Sequence, residues 1–297
     1  MNIQRADAHQ HFWRPARGDY GWLRPDVPGI APLCRDFLPE DLAPALERHH
    51  VRHTVLVQAA PTEAETDFML SLATKHPAVA GVVGWLDMAD EAAIATLDRW
   101  AQHPKFRGIR PMLQDLPDPD WIATTPHPAV IERLKHLGCR FDALVKPQQL
   151  DALLRFVRRH PELPVIVDHA AKPLLAQGWL GEWAPHWRDR MAELARHPNV
   201  TCKFSGLLTE ASPDSLLSHR ARVDTIRPVW DHLLETFGPD RLLWGSDWPV
   251  LTLAADYDAW IETSAALIDE LPGDDRANVW LRNAVRVYAL GAPEDKP

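Results

Sequence analysis

Near its beginning the chain reads Asp7-Ala8-His9-Gln10-His11-Phe12-Trp13, and near its end Leu242-Leu243-Trp244-Gly245-Ser246-Asp247-Trp248-Pro249. Side chains of a β-strand alternate between its two faces, so a His-x-His pair at a strand end presents both imidazoles on one face. The apolar run that breaks into Gly-Ser-Asp places Asp247 at the end of a late strand. Two imidazoles and a distant carboxylate are typical parts of one hydrolytic centre. A closed parallel barrel is the simplest fold that brings these two strand ends together.

Eight segments share one pattern, a short run rich in Val, Ile, Leu or Phe that ends in a polar residue. They are 3–8, 54–58, 79–87, 106–110, 140–145, 164–169, 200–205 and 241–247. Helical patterns separate most of them; one opens with the capping box Thr62-x-x-Glu65. Eight strands alternating with helices predict a (β/α)8 TIM-like barrel. We expect one domain over residues 1–292, with 293–297 as a frayed C-terminal tail.

Four histidines each precede a proline between a helical stripe and the next strand. They are His76, His103, His160 and His197. Proline cannot continue a helix, and a histidine in the last turn lies favourably against the negative end of the helix dipole. Helix-to-strand turns lie opposite the catalytic loops of a barrel, so we expect these histidines at the non-catalytic rim. Two long strand-to-helix insertions, 14–37 and 111–128, are expected to shape the pocket.

Composition excludes several classes of partner. The chain of 297 residues carries 41 acidic and 32 basic side chains with no basic run, which argues against nucleic acid. No apolar run reaches the roughly 18 residues of a membrane span, so we expect no membrane partner. Three cysteines without a CxxC pair predict no disulfide framework and a cytoplasmic location. The oligomeric state stays open.

Further polar residues lie at predicted strand ends. His169 ends an apolar strand of the buried parallel type, whereas Asp168 has the opposite facing parity. Lys203 and Arg110 lie within or at the end of interior strands, where a cation needs either an anionic or polar ligand or a structural ion pair. Asp7 either orients a histidine or fills a polar position lower in its strand. Weaker candidates for shaping the pocket are Gln58, Trp85, Asp87, Gln114, Asp142 and Trp248.

These motifs resemble the amidohydrolase 2 branch of the amidohydrolase superfamily, which includes sugar-lactone hydrolases. The resemblance runs nearly end to end and rests on the two motifs quoted first together with Val83-Gly84-Trp85, Gly108-Ile109-Arg110, Leu113-Gln114-Asp115, Asp168-His169-Ala170-x-Lys172-Pro173 and Cys202-Lys203-Phe204-Ser205-Gly206-Leu207. It implies the barrel fold, lactone hydrolysis, and roles for His9, His11, His169 and Asp247.

The resemblance also bears on a metal cofactor. It implies His9, His11, His169 and Asp247 as ligands of one divalent ion, with zinc the expected metal and a metal-free enzyme the alternative. Dinuclear members of the superfamily add a bridging carboxylated lysine and a further histidine. This chain has Arg110 on the fourth strand and Lys203 on a later one, so a two-metal centre is not expected.

The leading hypothesis is therefore hydrolysis of a sugar-acid lactone, a small-molecule substrate, to the open aldonic acid. Asp247 would act as general base on a water, with His169 as a second catalytic group. The predicted oxyanion stabilisers are the metal, Lys203 and Arg110; the predicted substrate contacts are Lys203, Arg110, Trp85, Gln114 and Trp248. The alternatives are a metal-dependent decarboxylase or a pyrone-dicarboxylate-type lactonase on the same barrel, and a non-catalytic protein that binds sugar acids.

Overall fold

The computed structural model describes residues 4–291. Its strands are β1 Arg5–Gln10, β2 Val51–Val57, β3 Val79–Gly84, β4 Phe106–Ile109, β5 Arg140–Ala143, β6 Val165–Val167, β7 Val200–Phe204 and β8 Leu242–Trp244. Each strand pairs in parallel with the next, in the order β1 to β8. All eight predicted strands are confirmed, as is the (β/α)8 barrel. Several end earlier than predicted because the polar residue closing each run belongs to the following loop. The tail predicted at 293–297 lies outside the described residues.

Helices alternate with these strands. Within the described part of the chain the α-helices are α1 Pro39–Arg48, α2 Glu63–Lys75, α3 Ala93–Ala101, α4 Trp121–Thr124, α5 Pro128–His136, α6 Leu150–Arg159, α7 Trp183–Ala195, α8 His219–Phe237, α9 Tyr257–Ile268, α10 Gly273–Ala277 and α11 Asn283–Val287, with a π-helical turn at Asn278–Arg282. Half of the capping box predicted for α2 forms: the Thr62 side chain accepts a hydrogen bond from the Glu65 amide, whereas the Glu65 side chain accepts from the Ala59 and Ala60 amides rather than from that of Thr62. None of these helices is both long enough and apolar enough to cross a bilayer.

The barrel closes between β1 and the segment after β8. The His11 amide donates to the Trp248 carbonyl at 2.7 Å, and the Asp247 amide donates to the His9 carbonyl at 2.8 Å. The Trp248–Pro249 peptide bond is cis. This closure places the His-x-His motif directly beside Asp247, although more than 230 residues separate them in the sequence.

Two apolar layers surround the strands. The interior layer includes Ala8, Val55, Ile166 and Leu243, and Tyr288 from the C-terminal segment joins it. The outer layer packs the helices onto the barrel through fully buried aromatic residues such as Trp100, Trp187 and Trp230. The barrel is therefore a packed core rather than a pore.

The four His-Pro junctions lie where the sequence predicts. His76 follows the end of α2 and His160 that of α6, while His103 and His197 each lie two residues beyond α3 and α7. Each therefore precedes a strand, at the rim opposite the strand-to-helix loops. The three cysteines are free thiols, as expected. The cytoplasmic location stays a prediction.

Candidate active site

Four predicted side chains converge at the carboxyl ends of the strands. The Asp247 Oδ1 atom lies 3.2 Å from His11 Nε2, 3.7 Å from His9 Nε2 and 3.7 Å from His169 Nε2. The rings of His9 and His169 are 4.4 Å apart between centroids. All four residues are buried. One carboxylate oxygen is thus the common neighbour of three imidazoles.

The Nδ1 atoms of His11 and His169 form hydrogen bonds with residues at the ends of neighbouring strands. His11 Nδ1 lies 2.7 Å from the Val57 carbonyl oxygen, so it carries the proton and donates it. The Nε2 lone pair of His11 therefore faces Asp247 and the cavity. His169 Nδ1 lies 2.9 Å from the Ser205 hydroxyl, which leaves its Nε2 atom on the side of Asp247. Each ring orientation is fixed by a partner on a neighbouring strand or its end.

A left-handed turn presents His169. The φ angles of His169, Ala170, Ala171 and Lys172 are 52°, 50°, 57° and 50°. Asp247 also has a positive φ, 60°. The left-handed conformation costs an L-residue about 1–2 kcal/mol, and such strain clusters at functional sites. The turn directs His169 and Lys172 towards one cavity, which both residues line.

Two glycines leave room for the histidines. A Cβ atom on Gly206, whose φ is +63°, would lie 2.4 Å from His169 Nδ1 and 3.1 Å from Asp247 Oδ2. A Cβ atom on Gly245 would lie 2.9 Å from His9 Cβ. Any larger residue at Gly206 would therefore displace His169 or Asp247.

Beneath His9 lies a buried group of charges, which we call the ionic cluster: Lys203, Asp142 and Asp168. The Lys203 Nζ atom is 2.6 Å from Asp142 Oδ2, 2.9 Å from Asp168 Oδ1 and 3.0 Å from His9 Nδ1. The Tyr288 hydroxyl donates to Asp142 at 2.8 Å. Lys203 is fully buried and does not line the cavity. Its ammonium group therefore forms structural ion pairs and is not in position to contact a ligand in the cavity.

Arg110 links the ionic cluster to the cavity. One guanidinium nitrogen lies 3.3 Å from Asp168 Oδ2 and 3.2 Å from His9 Nε2, and the other donates to the Gln58 carbonyl oxygen. The Gln58 side chain donates in return to the Arg110 carbonyl at 2.6 Å. Arg110 lines the cavity, so its charge is both paired and close to any ligand.

The charge states of the four central groups follow from burial and from one another. Burial lowers the pKa of His169 to about 4 and also lowers that of His11. Burial and the Lys203 ammonium hold the pKa of His9 well below its usual value. Burial alone would raise the pKa of Asp247, but the neighbouring imidazoles outweigh it and hold the pKa below the usual carboxyl range. At neutral pH Asp247 is therefore ionised, and it lies among three buried imidazoles.

Asp7 lies beside this centre. Its Oδ1 atom accepts hydrogen bonds from the amides of His9 and Ser246, and its Oδ2 atom accepts one from the Tyr257 hydroxyl. Burial raises the pKa of Asp7 to about 6 despite these hydrogen bonds. Asp7 therefore orients the backbone at both ends of the barrel closure, and it contacts no imidazole.

The central groups open into a small cavity of about 180 Å³. It is lined by His11, Trp22, Ala59, Arg110, Met112, Gln114, Asp115, Leu144, His169, Lys172, Asp247 and Val250. Gln114, predicted as a substrate contact, lines this cavity, and its buried Oε1 atom has no hydrogen-bond partner within residues 4–291. Trp85 and Asp87 lie in a neighbouring cavity. Trp248 is buried and packs on Phe12 and Phe37.

Sequence reasoning gave no role to three of the polar and aromatic residues of the cavity wall. Lys172 and Asp115 stand inside the quoted motifs, so the motifs themselves were the available signal. Trp22 lies in the 14–37 insertion, and its indole nitrogen donates to the Ala59 carbonyl at 2.7 Å. No periodicity or motif distinguishes Trp22 from the other tryptophans.

The donor set fits one divalent metal ion. Ligand atoms of His9, His11 and Asp247 lie within 4.8 Å of one another, as do those of His9, Asp168 and His169. Imidazole nitrogens with their far side hydrogen-bonded, together with a carboxylate, are the ligands that zinc prefers. Arg110 and Lys203 contact the two nitrogens of His9. These positive charges oppose any cation at His9, and they oppose a second cation more strongly than a single one.

Comparisons with known proteins agree with this geometry. A sequence profile of the amidohydrolase family matches residues 6–290. The chain is 45% identical over 294 residues to L-fucono-1,5-lactonase of Burkholderia ambifaria, covering 97% of each chain. It is 36% identical to L-fucono-1,5-lactonase of Burkholderia multivorans, covering 99% of each chain.

A solved structure gives the same fold. The crystal structure of an amidohydrolase from Burkholderia multivorans with bound zinc superposes with a TM-score of 0.88 at 34% identity, covering 97% of this chain and all of that one. Matching fold, matching sequence over almost the whole length and a buried His-His-His-Asp group lead to one conclusion: the chain belongs to the amidohydrolase family.

Proposed function

We propose that this protein hydrolyses a sugar-acid lactone to the open aldonic acid. The observation that carries the proposal is the ionised Asp247 carboxylate, which lies among three buried imidazoles beside a small cavity that also contains Arg110. The two Burkholderia relatives, which are lactonases, support the same reaction. A lactone of one sugar acid fits a cavity of this size, and a neutral substrate needs no further charged partner.

Asp247 acts as the general base. It takes a proton from the water that attacks the ring carbonyl, and it can return that proton to the ring oxygen as the ester bond breaks. Its lowered pKa keeps the carboxylate ionised across the neutral range. The positive φ of Asp247 and the hydrogen bond from its amide to His9 fix the carboxylate close to the three imidazoles.

Arg110 and His169 stabilise the charge that develops on the carbonyl oxygen. Preorganised donors aimed at such an oxygen are commonly the largest single contribution to catalysis. If a metal is bound, His9, His11, His169 and Asp247 would hold one divalent ion, which lowers the pKa of a bound water and polarises the carbonyl. Zinc remains the expected metal, and the metal-free enzyme the alternative.

The remaining predicted contacts have different places in the structure. Gln114 reaches the cavity, and together with Lys172, which was not predicted, it would bind the hydroxyl groups of the sugar acid. Lys203 acts instead as a positioning residue, since its ammonium group holds His9 from below together with Asp142 and Asp168. Trp85 and Trp248 lie outside this first cavity, so we assign them no contact with the lactone ring.

A panel of aldonolactones tests the proposal. Ring opening releases a titratable acid, which a pH indicator follows continuously, and we expect turnover of at least one six-carbon lactone at a rate far above its spontaneous hydrolysis. Carbon dioxide release from aromatic carboxylic acids, without lactone turnover, would establish the decarboxylase alternative instead. Full lactonase activity after exhaustive chelation and metal analysis would favour the metal-free enzyme.

A further inference from the structure

A second cavity adjoins the first and is larger. Its volume is about 700 Å³, and we call it the distal cleft. Trp22, Met112 and Asp115 line both cavities, so the two share one wall. The lactone ring of one sugar acid needs only the first cavity. The distal cleft therefore offers room for a further part of a ligand whose reacting ring lies beside Asp247.

Three tryptophans give the distal cleft broad apolar surfaces. Trp22, Trp85 and Trp121 line it, and each is half-buried. Trp22 is fixed by its hydrogen bond to the Ala59 carbonyl, and Trp121 opens the short helix α4 of the 111–128 insertion. Half-buried aromatic faces are suited to a ligand that has an apolar face and polar edges, since they bury the first and leave the second to other partners.

The polar groups of the distal cleft are carboxylates. Asp19, Asp87 and Asp115 line it, and no lysine or arginine belongs to the wall formed by the described residues. Asp19 Oδ2 accepts hydrogen bonds from Arg17 and from the Thr62 hydroxyl, whereas the buried Asp19 Oδ1 has no partner in the described chain. Carboxylates repel anionic groups and accept hydrogen bonds from hydroxyls.

We propose that the distal cleft binds a neutral glycosyl substituent carried by the substrate, so that the enzyme prefers the lactone of a disaccharide acid. This inference rests on the proposed lactonase activity. The lactone ring lies beside Asp247, while the second sugar stacks between tryptophans and donates hydroxyl hydrogen bonds to Asp19 and its neighbours. Water adds to the ring carbonyl, the ring ester bond breaks, and the glycosidic bond stays intact. The product is an aldobionate and one released proton.

Matched pairs of substrates test this. The pairs are D-glucono-1,5-lactone, L-fucono-1,5-lactone or D-galactono-1,5-lactone and the 2-O-, 3-O- and 4-O-glucosyl derivatives of each. We expect at least one derivative to exceed its parent tenfold in kcat/KM. The Trp121→Ala variant should reduce that ratio below threefold and leave kcat/KM for the parent within twofold. The control variant is Trp179→Ala, which removes a half-buried tryptophan from outside both cavities and should leave the ratio unchanged.

The outcomes separate this inference from the proposed function. If parents are hydrolysed but no derivative exceeds its parent twofold, the glycosyl site is wrong and the lactonase stands. The inference is also overturned if Trp121→Ala leaves the ratio of kcat/KM between derivative and parent unchanged. A preference for glucuronosyl over glucosyl derivatives would overturn it as well. If no lactone is hydrolysed, the proposed function fails. Calorimetry with the aldobionic acids then tests whether the distal cleft binds a glycosyl group. Tenfold weaker binding by Trp121→Ala than by wild type supports this, and equal binding refutes it.

Discussion

Glu65 makes the stability of this barrel depend on pH in a defined direction. Its buried carboxylate accepts hydrogen bonds from the amides of Ala59 at 3.0 Å and Ala60 at 2.7 Å, which fixes the loop whose Ala59 lines the first cavity. Burial raises the pKa of Glu65 from 4.5 to about 8, against the opposing effect of these two hydrogen bonds. Below pH 4.5 the group is protonated in both the folded and the unfolded chain. Between pH 4.5 and about 8 only the unfolded chain ionises, so stability falls as pH rises.

The size of the effect follows from the width of this window. One pKa unit corresponds to about 1.36 kcal/mol, so Glu65 removes about 4–5 kcal/mol of the free energy of unfolding between pH 4.5 and pH 8.5. Glu65→Gln keeps the size and an acceptor but cannot ionise. We therefore expect the stability of the variant, relative to wild type, to rise by about that amount across the same window.

Urea unfolding at unit steps from pH 4.5 to pH 8.5 measures this difference, and the contributions of other titrating groups cancel between the two proteins. Glu47→Gln is the matched control, because Glu47 is solvent-exposed on α1 and its replacement should give a difference that is flat with pH. A Glu65→Gln difference that stays flat, or that falls with rising pH, would refute the reasoning.

Three further substitutions test other parts of the structure. Gly206→Ala should lower kcat at least tenfold with little change in helix content by circular dichroism, because its Cβ would lie 2.4 Å from His169 Nδ1; near-normal turnover would contradict this. Lys203→Met should cost roughly 3–5 kcal/mol in urea unfolding, since it leaves Asp142 buried without a cation and Asp168 paired with Arg110 alone. Adding Asp142→Asn should recover part of that loss, and a Lys203→Met protein as stable as wild type would show that the pair is not needed. His103→Gln should cost less than about 1 kcal/mol and leave turnover within twofold; a hundredfold loss of rate would place this rim on the catalytic side.

Much of the barrel is readable from local patterns. Apolar runs located all eight strands, and the His-Pro junctions located four helix ends, because strand burial and helix termination are both encoded within a few residues. The same reasoning anticipated that His9 and His11 would meet Asp247, since carboxyl ends of parallel strands lie on one face of a barrel.

The contacts that decide charge and shape depend on tertiary packing. The sequence left open whether Lys203 meets a substrate or an ion pair, and only the fold brings it to Asp142 on β5. The alternation of side chains along a strand predicted that Asp168 and His169 face opposite sides. A left-handed turn begins at His169, however, and both residues lie close to His9 in the site. Nothing in a run of His-Ala-Ala-Lys indicates four successive positive φ angles. Trp22 reaches the cavity from a long loop whose path no pattern specifies.

Substitution of Asp247 tests the central claim most directly. Asp247→Asn keeps the size of the side chain and some hydrogen bonding but cannot accept a proton from water, and general-base catalysis contributes about 10²–10⁴-fold. On the best lactone we expect kcat to fall at least a hundredfold, whereas Asp118→Asn, an exposed carboxylate outside both cavities, should leave it unchanged. Binding of the aldonic acid product should survive in the variant, because Arg110, Gln114 and Lys172 remain in place. Retention of more than a tenth of wild-type turnover by Asp247→Asn would show that the base lies elsewhere.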